Sequence, residues 1–260
     1  MSIRIERIDP LDLDLGTAEA MAEVGYAIQK AEGLRATSPS GPTRLKDYQH
    51  GSDGTPYGGI WLARDVDGLL AGMAAAVFPR RENVDMAGVR GGVHPDHRGR
   101  GIGRALLDRV RADSAEAGRT KIYSGTVQGT DGEQAMAALG FETIHTYAIS
   151  QLDLHGADTG RWDRLYEDAA AASADYDLLR IVGRTPDEQV EDVVALFAAI
   201  NDAPMTDPDA EPDVWDADRV RGYDAAMEAR RQTVYRVMAR HRATGAWAGH
   251  TVLCLSLIHI

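Results

Sequence analysis

Apolar residues in the first part of the chain recur with two different spacings. Alternating apolar and charged residues over 3–8 predict a strand, and apolar residues at helical spacing over 15–30 predict a helix. Two apolar runs, 59–65 and 69–78, flank Val66-Asp67-Gly68, which is typical of a hairpin turn. The pattern therefore begins with a strand and a helix and continues into paired strands.

Further elements follow as far as residue 154. The spacing predicts a short helix near 43–49, a strand at 83–93, a helix from about 102 to 117, a strand at 120–127, a short helix at 133–139 and a last strand at 142–154. We expect Thr17 to be the N-cap of the first long helix. The resulting order is β-α-α-β-β-β-α-β-α-β, an α/β arrangement of the α+β kind.

The remainder of the chain repeats the opening of this order. An alanine-rich helix at 161–174 is followed by a predicted strand at 176–182, a helix at 186–203, a helix at 217–231 and a hairpin over 233–255. We expect Thr185 to be the N-cap of the first of these last two helices, with Glu188 as its capping-box partner. Trp61-Leu62-Ala63-Arg64 is echoed by Val237-Met238-Ala239-Arg240.

These patterns predict the domain organisation. Residues 1–155 form a first domain, 156–175 a linker helix, and 176–254 an incomplete second copy that stops after its hairpin. The tail 255–260 resembles a translated sequencing adapter more than evolved protein, although a genuine final strand is the alternative. We expect the first domain to be stable without the second.

A turn rich in glycine and arginine joins the strand that ends at Val93 to the following helix. The first N–H groups of a helix lack internal partners and attract anions. Gly101 and Gly103 have no Cβ to keep a pyrophosphate from the backbone, and Arg98 and Arg100 add positive charge. A glycine turn needed only for tight packing is the alternative. The spacing excludes a Walker-type loop and disfavours a dinucleotide-binding start.

This turn resembles the [Q/R]-x-x-G-x-[G/A] signature of the GCN5-related N-acetyltransferase (GNAT) family. Arg98, Gly101 and Gly103 fill its three defined positions, and Val93 and Pro95 match the V-x-P that precedes it. The resemblance covers residues 3 to about 154 and implies a mixed, mostly antiparallel central sheet flanked by helices, with acetyl-CoA as co-substrate. It assigns coenzyme binding to Val93, His94, Pro95, Arg98, Gly99, Arg100, Gly101, Ile102, Gly103 and Arg104.

The resemblance also implies a backbone N–H near Val93 that holds the thioester carbonyl, and a carboxylate that takes the amine proton. Asp85 is the candidate base, and Glu82 lies just ahead of it in the chain; a solvent-facing role for Asp85 is equally compatible. His94 and His97 flank the loop, and we interpret them as polar turn residues.

Two positions depart from the family pattern. Met136 stands where many members carry a tyrosine that protonates the leaving thiolate, and Gly129 stands where an asparagine is common. Tyr123 and Tyr147 are possible substitutes, although packing roles are more typical of such residues.

Composition narrows the function further. The net charge of −12 argues against nucleic-acid or anionic-membrane binding, and it is weakly compatible with a cationic acceptor. The single cysteine, Cys254, excludes an intrachain disulfide, and no metal site is predicted. Without a signal peptide or a long apolar run, we expect a cytoplasmic protein that acts on a small-molecule amine. The sequence leaves the oligomeric state open.

The sequence thus predicts an acyl-CoA-dependent N-acetyltransferase that moves an acetyl group from acetyl-CoA to an amine. Two alternatives stay open. Met136 and Gly129 motivate a protein that binds acyl-CoA with little turnover. The interrupted repeat motivates a first domain that supports catalysis in a missing C-terminal half. The acceptor is not identified by the sequence.

Overall fold

The computed structural model describes residues 3–34, 40–150, 152–203 and 210–256. The first half contains β1 (Arg4–Ile8), α1 (Leu15–Ala31), α2 (Gly41–His50), β2 (Gly59–Arg64), β3 (Leu70–Val77), β4 (Met86–Val93), α3 (Ile102–Glu116), β5 (Lys121–Tyr123) and α4 (Asp131–Ala138). The second half contains α5 (Thr159–Ala172), β6 (Tyr176–Val182), α6 (Val190–Ala198), α7 (Ala217–Ala229), β7 (Gln232–His241) and β8 (Trp247–Ser256). Short 3₁₀ turns connect several of these elements.

The first sheet has the strand order β1-β2-β3-β4-β5. Neighbouring strands are antiparallel from β1 to β4, whereas β5 runs parallel to β4. The hairpin between β2 and β3 turns where the sequence predicts it, because the Asp65 carboxylate accepts hydrogen bonds from the N–H groups of Asp67 and Leu69. The predicted α/β fold with a mostly antiparallel sheet is confirmed.

Alternation along β2 places its side chains in two apolar layers, one on each face of the sheet. Ile60 and Leu62 pack against α1 and α2, and Trp61 packs against α3. The indole Nε1 of buried Trp61 donates to the Asp113 carboxylate over 2.7 Å, so the one polar atom of this ring has a partner. These layers hold α3, and therefore the turn that precedes it, against the sheet.

Two predictions for the first half are wrong. The last strand at 142–154 is absent from the described residues of that range, where apolar side chains such as Ile149 are exposed. A strand needs a neighbouring edge, and β5 is too short to offer one. The N-cap of α1 is Asp14 rather than Thr17, because the Asp14 carboxylate accepts from the Thr17 N–H at 2.8 Å.

The second half repeats the first in topology and in one irregularity. Its order β6, α6, α7, β7, β8 and its strand order β6-β7-β8 match β1, α1, α2, β2, β3. The β2–β3 register shifts between Ala63 and Arg64, and the β7–β8 register shifts between Ala239 and Arg240. The predicted partial repeat is confirmed, since a shared bulge at equivalent positions is a conserved feature of a fold.

Three further predictions change in the second half. Thr185 does not cap a helix, because its N–H and hydroxyl both contact the buried Asp224 carboxylate. The helix predicted at 186–203 is a shorter α6 between two 3₁₀ turns. Leu255 and Ser256, predicted to belong to a non-native tail, are part of β8 and pair with Thr233 and Gln232 of β7. The rest of the predicted tail, 257–260, lies outside the described residues.

Polar contacts join the two halves. Arg219 of α7 lies 2.8 Å from the nearly buried Glu82 carboxylate, and Arg230 lies 2.9 Å from Asp47 of α2. The Asn83 N–H donates to a Glu211 carboxylate oxygen at 2.6 Å, and the Glu211 N–H donates back to the Asn83 side chain. The second half therefore fixes the loop between β3 and β4.

Candidate functional site

The α3 N-terminus begins at a glycine turn with left-handed backbone. Gly99 and Gly101 have φ values of 72° and 78°, which residues with a Cβ rarely adopt. Gly101 is the N-cap, and no side chain caps the helix. A Cβ at Gly103 would contact only Val93 Cγ2, at 3.6 Å. The first-turn N–H groups of α3 are therefore left for an outside acceptor.

β4 and β5 separate beside this turn. Their pairing ends at Gly88 and Tyr123, whereas β4 continues to Val93. The His94 N–H donates to Ala71 of β3 at 2.9 Å, and alternate residues of an antiparallel strand point in opposite directions. The Val93 N–H therefore points away from β3, towards the gap that β5 leaves.

A cleft of about 680 Å³ fills this gap between β4, α3 and α4. Its floor is apolar, and its mouth carries the glycine turn. The lining residues include Val89, Gly91, Gly92, Val93, Gly99, Gly101, Gly103, Leu106, Val110, Ser124, Thr126, Ala135, Met136 and Phe141. This combination of an apolar groove and an open helix N-terminus suits a long ligand that carries phosphates.

An ion-pair network closes one side of the mouth. The Arg98 guanidinium donates to the Glu32 carboxylate at 2.7 Å and to the Asp131 carboxylate at 3.1 Å. The Glu32 side chain is 7% exposed, and its second oxygen accepts from the Asp131 N–H at the start of α4 at 2.8 Å. The network ties the end of α1, the glycine turn and α4 together.

The residues that form this cleft match a known protein family. The sequence profile of the acetyltransferase (GNAT) family matches residues 26–141, which include the glycine turn, the cleft and α4. Residues 26–141 belong to the GNAT family of acetyltransferases. The GNAT family is a family of acetyltransferases. No curated protein sequence gives a significant match.

Two solved structures extend the GNAT likeness over almost the whole chain. A tandem GNAT protein from the clavulanic acid biosynthesis pathway is 23% identical, with a TM-score of 0.69, and the match covers 98% of this chain and 75% of that one. A GCN5-related N-acetyltransferase from Sphaerobacter thermophilus is 15% identical, with a TM-score of 0.57, covering 95% and 70%. At these identities the likeness concerns the fold.

The other residues assigned to the GNAT coenzyme loop contribute in different ways. Arg100 donates to the Asp96 carbonyl at 2.8 Å, and Arg104 contacts the Ala138 carbonyl at the end of α4. His94 and Pro95 lead into a 3₁₀ turn, where His94 Nδ1 accepts from the Asp96 N–H. Ile102 is buried against the sheet in the α3 layer. Arg98, Arg100 and Arg104 are thus engaged by protein oxygens, whereas no side chain caps the backbone N–H groups at the start of α3.

The structure places both predicted base residues outside the cleft. Asp85 precedes β4, and its side chain pairs with Lys121. Gly92 is seven positions further along the chain, about 23 Å away in an extended strand. Glu82 is engaged by Arg219. Neither is among the cleft-lining residues. The sequence pattern gave the strand but not the end of it that faces the coenzyme turn.

The GNAT positions that depart from the family pattern have clear locations. Met136 lines the cleft on α4. The Gly129 N–H donates to Glu133, which orders the turn before α4. Tyr147 is 72% exposed and stacks on His145 away from the cleft, and Tyr123 ends β5 without lining the cleft. Neither tyrosine replaces the missing one at position 136.

Two cleft residues gain significance from the structure. Glu32 was not singled out by the sequence, because nothing local distinguishes it; its partners are 66 and 99 residues away. His97 lines the cleft, and its buried Nδ1 has no hydrogen-bond partner among the described residues.

Within the described ranges, no group of His, Cys, Asp or Glu is arranged to hold a metal ion, and no helix is long and apolar enough to span a bilayer.

Proposed function

We propose that this chain is an acyl-CoA-dependent N-acetyltransferase that moves an acetyl group from acetyl-CoA to a small-molecule amine, with its site in the first domain, residues 1–155. The observation that carries this proposal is the uncapped α3 N-terminus at Gly101, which opens onto the apolar cleft. The second half, 176–254, is a partial copy without an equivalent turn, and 156–175 connect the two.

The coenzyme loop would hold acetyl-CoA chiefly through backbone atoms. The turn from Gly99 to Gly103 offers N–H groups to the pyrophosphate, and Arg104 lies at the cleft wall. Arg98 acts through position: its ion pairs with Glu32 and Asp131 fix the turn against α1 and α4. Acetyl-CoA supplies an activated thioester when it is bound.

The Val93 N–H is the group proposed to polarise the thioester carbonyl. It points into the gap between β4 and β5, where a carbonyl oxygen could accept its hydrogen bond. Gly91 and Gly92 line the same gap without side chains, so the acceptor amine can approach the edge of β4. Acetyl transfer then forms the amide carbon–nitrogen bond as the carbon–sulfur bond breaks; the amine loses one proton, and the departing thiolate takes up one to leave as the free thiol.

A protein that binds the coenzyme with little turnover is the second candidate. Met136 favours it, because a thioether in the cleft wall cannot protonate a leaving thiolate. The two candidates differ in what a donor at this position would do. Met136→Tyr should raise the rate of a working acetyltransferase and should leave a binding protein inactive.

The experiment that tests the proposal measures free thiol release from acetyl-CoA with a panel of amines, and detects each acetylated amine by mass spectrometry. We expect thiol release that depends on the amine and on the chain. Tight acetyl-CoA binding by calorimetry with no acetylated product from any amine, in both the parent chain and Met136→Tyr, would contradict acetyl transfer and favour the binding protein.

A further inference from the structure

A guanidinium group lies beside the cleft on the α2 side of the sheet. Val89 and Val93 of β4 pack towards α3, so Arg90 between them faces the opposite side. Gly92 shares that side, because a Cβ there would lie 2.8 Å from Ile28 of α1. The Arg90 side chain is 60% exposed, and Arg90 lies two residues before the cleft-lining Gly92 on the same face of β4.

Arg90 is oriented by two residues of the first half. Its Nη1 contacts the Asp47 carboxylate at 3.4 Å, and its guanidinium lies over the Tyr57 ring at 5.1 Å from the centroid. The Tyr57 hydroxyl donates to the same Asp47 oxygen at 3.2 Å. Burial, with the Asp47 charge as a second cause, raises the pKa of Tyr57, so its hydroxyl stays a neutral donor.

The second half changes the charge of this cluster. Arg230 is nearly buried and contacts the other Asp47 oxygen at 2.9 Å, a shorter ion pair than that of Arg90. One carboxylate therefore lies between two guanidinium groups. The neighbouring His50 favours the neutral imidazole, because burial, and then Lys46 and Arg230, lower its pKa. Arg90, Arg230 and Asp47 together carry one net positive charge, although the net charge of the whole chain is −12.

We propose that the acceptor amine carries a carboxylate, and that Arg90 binds this carboxylate. The inference rests on the proposed acetyl transfer and names the class of its substrate. A planar guanidinium binds a carboxylate through two parallel hydrogen bonds, which a compact ammonium group cannot do. Because Arg230 satisfies Asp47, the Arg90 donors that face solvent are available to the acceptor. The second half thus completes the specificity of a site in the first.

This substrate class reverses the expectation from composition. The overall acidity is weakly compatible with a cationic acceptor, but local charge decides recognition, since surface charges more than about 10 Å apart are largely screened at moderate salt. A polycationic amine would bring a second positive charge towards Arg90 and Arg230. An amino acid would instead bring a carboxylate to Arg90 and its amine to the open edge of β4.

The test compares amino acids with the amines that remain when only the carboxylate is removed: ornithine with putrescine, lysine with cadaverine, and phenylalanine with phenethylamine. Thiol release is measured for the full chain, Arg90→Gln and Arg242→Gln. The Arg242 side chain is 58% exposed and pairs with Asp177, so it is a matched control away from the site. Acetyl-CoA affinity is measured by calorimetry for all three proteins.

We expect the parent chain to prefer the amino acid of each pair, and Arg90→Gln to lose about 10- to 100-fold in kcat/KM for amino acids, mainly through KM. Acetyl-CoA affinity and the rates of Arg242→Gln should stay unchanged. Equal rates within each pair, or an Arg90→Gln protein with unchanged KM, would overturn the carboxylate and leave acetyl transfer intact. No product from either series, with product from other amines of the wider panel, would also overturn the carboxylate alone. No acetylated product from any amine of that panel would contradict the proposed function, and the substrate class would fall with it.

Discussion

The Glu32 carboxylate and the Arg98 guanidinium meet at 2.7 Å at the mouth of the cleft, although 66 residues separate them. The Glu32 side chain is nearly buried, and it also accepts a hydrogen bond from the Asp131 N–H, the first of α4. One carboxylate therefore determines how the glycine turn and α4 stand relative to each other. Its loss leaves Arg98 and the α4 N-terminus without a shared partner.

We expect Glu32→Gln to lower the free energy of unfolding by about 1–3 kcal/mol, because charge-assisted hydrogen bonds to a nearly buried carboxylate are lost. Acetyl-CoA affinity should also fall, since the turn is no longer held. Chemical denaturation and calorimetry measure the two effects. Asp177→Asn is the control, because it breaks an exposed pair with Arg242 and should change stability by less than about 1 kcal/mol. Equal effects of the two substitutions would contradict this role for Glu32.

Two glycines of β4 provide a matched test of the strand that lines the cleft. A Cβ at Gly91 would lie 2.2 Å from the Met73 carbonyl oxygen, whereas the nearest atom to a Cβ at Gly88 is Val77 Cβ at 3.9 Å. Gly91→Ala should therefore destabilise the protein by roughly 1–3 kcal/mol, and Gly88→Ala should have little effect. Thermal unfolding of both variants tests this prediction. Equal unfolding midpoints would show that β4 accommodates a Cβ at position 91 without loss of stability.

The interface between the halves includes a nearly buried ion pair. The side chains of Glu82 and Arg219 are 10% and 15% exposed and lie 2.8 Å apart. Arg219→Ala leaves the carboxylate unpaired, and we expect it to cost about 3–5 kcal/mol of unfolding free energy. Adding Glu82→Gln should recover part of that loss. If the single and double variants are equally stable, Glu82 is not held by Arg219.

The same interface bears on the stability of the first domain alone. A chain that ends after Leu154 would lose Arg219, which pairs with Glu82, and Arg230, which pairs with Asp47. The sequence predicts that such a fragment is stable, whereas the contacts favour a fragment that folds with lower stability than the full chain. Circular dichroism during urea unfolding distinguishes the two, and an unchanged midpoint would support the sequence prediction.

Stability should also depend on pH through His50. Burial, and then Lys46 and Arg230, lower its pKa from the ordinary 6.5. The unfolded chain therefore binds a proton more readily than the folded one, so stability is full above pH 6.5 and falls as the pH drops below it. Burial, and then Arg236, also lower the pKa of His250.

Urea unfolding on both sides of that pKa measures this dependence. His50→Gln should reduce the acid loss of stability, and His50→Gln with His250→Gln should reduce it further. An identical acid loss in the parent chain and the double variant would exclude both histidines as its source.

Features set by local sequence could be predicted. The hairpin at Asp67-Gly68 and the turn before α3 depend on glycine backbone and neighbouring spacing, and both occur where the pattern places them. The repeat was recognisable from Trp61–Arg64 and its echo, and the shared bulge confirms it. These features need no knowledge of distant partners.

Features set by distant partners could not be predicted. The strand expected at 142–154 has no edge to pair with, and the pattern alone does not reveal this. The pairing of Glu32 with Arg98 and of Asp47 with Arg230 joins residues far apart in the chain. Asp85 was predicted from its place in the sequence, but the end of β4 that faces the turn is set by the three-dimensional course of the strand.

The central claim is that the uncapped α3 N-terminus at Gly101 binds the coenzyme. Gly101 and Gly118, at the two ends of α3, share a φ of 78°, and a Cβ at either would meet nothing within 4 Å. Replacing each by valine therefore imposes a similar backbone strain, but only one replacement is at the proposed pyrophosphate site. The pair separates binding from folding.

Calorimetric titration of acetyl-CoA into Gly101→Val and Gly118→Val, each confirmed as folded by circular dichroism, is the most direct test. We predict that Gly101→Val loses at least about tenfold in affinity, because a side chain replaces the open backbone, whereas Gly118→Val binds like the parent chain. Parent-like acetyl-CoA affinity in a folded Gly101→Val protein would contradict the account.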